Sequence, residues 1–246
     1  MNLFCQRLFY LAFTVLSACG TVKKPSYTVA VDPSFYSIES LGRENNILAF
    51  LTDLVSEASL RTHLSITMKP ANWTSLLQGL QEEEYQAVFA GITQYNFTEK
   101  KYAFSSVFIK TGPVLIIPKN MTSSSLTDFG NKEVGVISDS DAINIVQKYP
   151  DIIIRIYDSI PKLLNDLSQN RIEAAVLAAL PAEGYCRDLF QESLHITTSP
   201  MTNDGLKLIT LKEENIELMH AFNKVIQQME KEGSLAKLKA KWSLGS

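Results

Sequence analysis

The 246-residue chain is poor in cysteine and histidine, with three of each, and it carries no excess of positive charge: 23 Lys plus Arg stand against 26 Asp plus Glu. Each shortage closes off a class of function. A net charge of −3 without a basic block offers no positive field for nucleic acid, which is excluded as a partner. His63, His195 and His220 are far apart and adjoin no cysteine pair, so no local metal motif exists and neither a metal nor another cofactor is expected. No phosphate-binding loop, Gly-x-Gly-x-x-Gly turn or Gly-x-Ser-x-Gly elbow is present. Repeats and long charge blocks are absent too.

Long apolar runs are also scarce. The longest, Leu8 to Val15, is too short to span a bilayer. It follows a single cation, Arg7, and precedes small residues, which is the layout of a secretory signal over residues 1–18. Leu16-Ser17-Ala18-Cys19 fits the lipobox of bacterial lipoproteins, which predicts cleavage before Cys19, lipidation of that residue, and a short tether over 19–26; simple cleavage is the alternative. Loss of the signal removes Cys5 and Arg7 and leaves 228 residues of net charge −4. With Cys19 lipidated, Cys186 has no partner for a disulfide, and no base near it in sequence marks it as a nucleophile.

The remaining chain is 46% hydrophobic overall, enough for real cores, and it alternates strand and helix signals, an α/β pattern. Tyr27–Val31 and Leu64–Met68 read as strands. Ile47, Leu48, Leu51, Leu54, Val55 and Ala58 form a helical stripe between them. Leu76, Leu77 and Leu80 continue with helical spacing, followed by the buried-strand run Ala87–Ile92. Gly112-Pro113 breaks the chain before the apolar run Val114–Ile117, and Val134–Val136, Leu163–Leu167 and Ala174–Ala179 supply strand, helix and strand. Ser140 or Asp141 is placed to cap a helix starting at Ala142, and Ser234 to cap the last one. In an open parallel sheet ligands collect at the carboxyl ends of strands, where Ala90, Gly91 and Thr93 fall.

The run Ala90-Gly91-Ile92-Thr93, its spacing to Phe104-Ser105, the Asp128-Phe129 and Val134-Gly135-Val136 pair, and the closing Gly233-Ser234-Leu235-Ala236-Lys237-Leu238 resemble solute-binding protein family 3. These proteins bind polar amino acids for ABC importers, and the resemblance to the glutamine binders covers about residues 27–243. It implies a two-lobed type II periplasmic-binding-protein fold crossed twice by the chain, with 27–112 and 201–246 as lobe 1 and 113–200 as lobe 2. His195–Pro200 is expected to return the chain to lobe 1. It implies further that lobes close on a small ligand and that the closed form meets an inner-membrane permease, the receptor being a monomer held at the periplasmic or cell-envelope face by its lipid.

Matched residue by residue, the resemblance places Asp32, Phe35, Tyr36 and Trp73 on the ligand, with Ala90, Gly91, Thr93, Tyr95, Ile137 and Ser140 around it. Asp32 also fits a plain turn role, and Trp73 and Phe35 fit packing roles. Two matches depart from the family. Thr98 stands where an arginine grips the α-carboxylate, and Ala178, or Ala179 with a one-residue slip, stands where an aspartate pairs with the α-ammonium. Asp139-Ser140-Asp141 replaces a neutral anion-binding turn, and Glu183 is the nearest substitute acid. The reading is therefore a non-enzymatic receptor of altered specificity. A cyclohexadienyl-dehydratase-like enzyme using Asp32, Asp139, Asp141 or Glu183 as its acid is the first alternative, and a surface lipoprotein with a degenerate cleft the second.

Overall fold

The computed structural model describes residues 24–244, so the signal sequence, Cys19 and most of the tether lie outside the described residues. The chain begins with β1 (Ser26–Val31), α1 (Glu44–Arg61), β2 (Ser65–Pro70), α2 (Trp73–Gln81) and β3 (Ala87–Ala90). Helix α1 forms because Ile47, Phe50, Leu51, Leu54, Val55 and Ala58 recur at helical spacing and bury one face. Arg61 in its last turn meets Glu57 at 2.9 Å and Glu232 at 2.7 Å, which suits the negative end of the helix. Strand β1 pairs in parallel with both β2 and β3. Two short strands follow, β4 (Tyr102–Phe104) and β5 (Ile109–Lys110).

The second half of the fold is built likewise from β6 (Pro113–Pro118), β7 (Glu133–Ile137), α3 (Ala142–Val146), β8 (Ile153–Tyr157), α4 (Ile160–Ser168), β9 (Ala174–Ala178), α5 (Ala179–Asp188) and β10 (Leu194–Ile196). Its sheet order is β10-β6-β9-β7-β8, with β7 parallel to β8 and β9. Both faces are covered, which is why β9 reads as an unbroken buried run, Ala-Ala-Val-Leu-Ala. Gly135 on β7 lets α4 approach: a Cβ there would stand 2.7 Å from Ile172 and 3.2 Å from Leu163.

Strand β11 (Gly205–Leu211) returns to the first sheet and completes the order β2-β1-β3-β11-β4, with β5 also on β11. Helices α6 (Ile216–Lys231) and α7 (Ser234–Lys241) then pack beside α1, burying Phe222, Val225, Ile226, Met229 and Leu235. Gly233 turns between them at φ +69°, the left-handed conformation that glycine adopts without strain.

Two segments join the sheets: Thr111-Gly112, between β5 and β6, and 197–204, between β10 and β11. They lie side by side, with Thr111 N donating to Asp204 O at 3.0 Å and Met201 N to Pro113 O at 2.8 Å. A Cβ on Gly112 would collide with Thr202, so glycine is what allows the paired crossing. The return begins later than residue 195, because Leu194–Ile196 is hydrogen-bonded to β6 as an edge strand.

Cys186 is buried on α5, and burial pushes its thiol up to about 11. In a chain starting at Lys24 it is the only cysteine. Its reaction with a thiol reagent at neutral pH is expected to be at least about a hundredfold slower in the folded protein than in denaturant, since the thiolate is the reactive form. Equal rates would mean that α5 does not stay packed.

Candidate functional site

The carboxyl ends of β1 and β3 in one sheet face those of β7, β8 and β9 in the other across the paired crossing. The loop after β1 is folded by its own aspartate. Asp32 is buried, and its carboxylate accepts from Ser34 N at 3.1 Å, Ser34 Oγ at 2.7 Å and Tyr36 N at 3.3 Å. This is the turn role, and it leaves those oxygens engaged by the loop rather than by a ligand. Phe35, only 2% exposed at φ +48°, packs into the first core and is also among the residues lining the crevice. Tyr36 points the other way: it is 74% exposed and lies against Trp73, with ring centroids 5.8 Å apart. Trp73 also packs on the cluster around Leu76, so its packing and exposed roles coexist.

At the end of β3, Ala90 is buried and pairs with Lys207, while Gly91 N donates to Ser37 Oγ at 2.9 Å. A Cβ on Gly91 would strike Ile38, so the loop after β1 is pressed onto this turn. Thr93 Oγ1 donates to Asp204 at 3.0 Å, tying the strand end to the second crossing. Tyr95 stacks on Phe97 at 5.5 Å. Thr98 Oγ1 donates to Tyr95 O and accepts from Tyr95 N, both at 2.9 Å, so its hydroxyl closes its own turn.

In the second sheet Ile137 ends β7 half-buried, and Ser140 Oγ donates back to Ile137 O at 2.8 Å. Asp141 holds the N-cap position of α3, which is five residues long, but its side chain bonds no helix N–H there. Ser234 likewise does not cap α7, because Gly233 holds that position and Ser234 Oγ donates to Met229 O. Ala178 is 8% exposed and leads straight into α5, with no polar group to offer.

A cavity of about 680 Å³ lies between the loop after β1 and the ends of β7 and β8. Phe35, Tyr36, Glu39, Ile137, Asp158 and Tyr185 are among its walls, and no Lys, Arg or His among the described residues lines it. Of the residues expected around the ligand, Phe35, Tyr36 and Ile137 line this cavity, whereas Asp32, Trp73, Ala90, Gly91, Thr93, Tyr95, Thr98, Ser140 and Ala178 do not. Glu39, Asp158 and Tyr185 were missed by sequence reasoning. Asp158-Ser159-Ile160-Pro161 carries a helix-start signal that would have marked the end of β8.

A larger cavity, about 780 Å³, flanks the crossing behind α5, β10 and α7. Glu183 Oε2 and His195 Nδ1, both without a hydrogen-bond partner, belong to its lining residues. Burial pushes the Glu183 carboxyl up while Arg43, Lys239 and Arg187 pull it down. This cavity is away from the strand ends, so the smaller one is the ligand candidate. No group of three or more His, Cys, Asp or Glu among the described residues is arranged to hold a metal ion.

With this geometry in place, the likeness to known proteins can be stated. The family of bacterial extracellular solute-binding proteins, family 3, matches residues 27–245. The arginine-binding extracellular protein ArtP of Bacillus subtilis is 24% identical over 205 residues, covering 82% of this chain and 80% of ArtP. The L-cystine-binding protein TcyJ of Escherichia coli is 23% identical over 217 residues, covering 87% and 81%. In three dimensions the unliganded open L-cystine solute receptor of Neisseria gonorrhoeae superposes with a TM-score of 0.72 at 18% identity, covering 91% of this chain and 94% of that one. The two-sheet α/β architecture is therefore that of a two-lobed periplasmic binding protein, and the chain belongs to the bacterial extracellular solute-binding proteins, family 3.

Proposed function

We propose that this chain is the solute receptor of an ABC importer, anchored outside the cytoplasm by a lipid on Cys19, and that its ligand is not a conventional α-amino acid. What supports the reading is that Thr98 closes its own turn and Ala178 is buried and apolar, at the two positions that the resemblance matches to the family's clamps. A charged hydrogen bond contributes about 1.5 to 3 kcal/mol, so losing both clamps removes roughly 3 to 6 kcal/mol for a zwitterion. Residues 27–112 with 201–246 move as one lobe and 113–200 as the other. The paired crossing at Thr111-Gly112 and 197–204 is the hinge, closure traps the ligand, and the closed monomer meets the permease. No chemical step is assigned to the cleft. Asp32, the acid nearest β1, has its carboxylate occupied by Ser34 and Tyr36, which weighs against the dehydratase alternative.

A thermal-shift screen of the signal-free chain against twenty amino acids, short peptides, polyamines and aromatic acids tests the reading. A ligand at one hundred times its dissociation constant adds about 2.7 kcal/mol and raises the midpoint visibly. A shift by a small solute outside the amino acids is the expected result. A strong shift by an α-amino acid contradicts the altered specificity, and a blank screen contradicts the receptor role.

A further inference from the structure

The charged residues lining the cleft cavity are all acidic: Glu39 and Glu44 from the loop after β1 and the start of α1, and Asp158 from the end of β8. Glu44 is already satisfied, by the Ser40 hydroxyl and by Gly42 N at 3.2 Å. The Glu39 and Asp158 carboxylates form no hydrogen bond or ion pair among the described residues, and neither does that of Asp141, which follows β7 but does not line the cavity. Glu39 is an exposed residue, yet desolvation of its carboxyl by the surrounding chain, and then the charge of Asp141, push it above its ordinary value. Glu39 and Asp141 belong to opposite sheets. Bringing the lobes together with nothing between them drives these like charges closer, whereas a cation between them turns repulsion into attraction from both sides.

An aromatic pair borders the same cleft. Tyr36 lines the cavity, is 74% exposed and lies tilted against Trp73. The faces of such rings attract ammonium and guanidinium groups. The acids that welcome a cation repel a carboxylate, and among the described residues no lysine, arginine or histidine lines the cavity to hold one. Resting on the receptor reading above, we infer that this cleft takes an organic cation that bears no carboxylate, an alkyl or aryl amine or guanidine. The ammonium sits between Glu39 and Asp158, and the organic body lies against Tyr36. Specificity comes as much from rejecting the carboxylate as from binding the cation.

Matched pairs that differ only by a carboxylate provide the test: arginine and agmatine, lysine and cadaverine, histidine and histamine, tyrosine and tyramine, each titrated calorimetrically into the signal-free chain. In at least one pair the decarboxylated member is expected to bind about tenfold or more tightly than its amino acid, with affinity falling as salt rises. Glu39→Gln and Asp158→Asn are each expected to weaken that amine about tenfold. Glu39→Gln is also expected to raise the unfolding midpoint of the unliganded protein at pH 7. A carboxyl whose folded pKa is raised destabilises the fold when ionised, and the amide removes that charge. A merely structural Glu39 would lose stability on the same substitution. If the amino acid of a pair binds as well as its amine or better, the inference falls and the receptor reading stands. If no member of any pair binds and the broader screen is blank, both fall.

Discussion

Thr98→Arg combined with Ala178→Asp is expected to raise affinity for an α-amino acid by about a hundred- to ten-thousand-fold, the largest change in function that any two substitutions here should cause. The arginine supplies two parallel donors for the carboxylate, and the aspartate supplies a charged acceptor for the ammonium. Ala178 ends β9 in extended conformation at the start of α5, which gives the new carboxylate a defined origin. Thr98 now closes a turn with Tyr95, so its replacement opens that turn as well as adding charge. Each single substitution should give about ten- to a hundredfold. Calorimetry with arginine, glutamine and histidine reads the gain. A folded double variant that binds none of them better than the parent would show that the clamp positions have been misassigned.

The largest loss of stability is expected from Phe108→Ala, at about 3 to 5 kcal/mol for the first lobe. Phe108 is 2% exposed and touches three other rings, with centroids 6.2 Å from Phe50 and 5.7 Å from both Phe89 and Phe222. These rings come from α1, β3 and α6, so one side chain ties both helices to the sheet. It also stands just before β5 and the first crossing, and its truncation leaves a cavity at the root of the hinge. Urea unfolding followed by tryptophan fluorescence is the readout, since Trp73 and Trp242, the chain's two tryptophans, both lie on first-sheet helices or their ends. A loss under 1 kcal/mol would mean that the aromatic cluster is loosely packed.

Elements whose periodicity matches their burial were legible from sequence. Helix α1 and strands β1, β3 and β6 lie where their apolar patterns place them, within about three residues. Three others were hidden by local chemistry. Strand β8 leaves Ile153 and Ile156 more than half exposed at a sheet edge, which blurs its alternation. Helix α5 contains Pro181 and Gly184, residues that read as helix breakers. Proline is tolerated in the first turn, and Gly184 has no side chain because the Arg43 guanidinium occupies that space. Strand β10 is three residues long and exists only because β6 offers an unpaired edge.

The candidate site was legible only in outline. Strand-end loops announced themselves through Gly91 and the turn after Val31, but which side chains face the crevice depends on loop hydrogen bonds that no periodicity reports. Asp32 and Phe35 turn inward because Ser34 and Tyr36 N–H groups need an acceptor and the core needs a ring. Glu39 and Asp158, over a hundred residues apart, meet only through the two-sheet topology, so their shared cavity could not be anticipated.

The most direct test of the central claim is native mass spectrometry of the full-length protein, purified without denaturation from cells that express it naturally. The account predicts one small molecule bound per chain, with a mass and fragmentation pattern of an organic cation lacking a carboxyl group. An α-amino acid bound at stoichiometry, or a chain that emerges empty and closes on no solute added back, would contradict it.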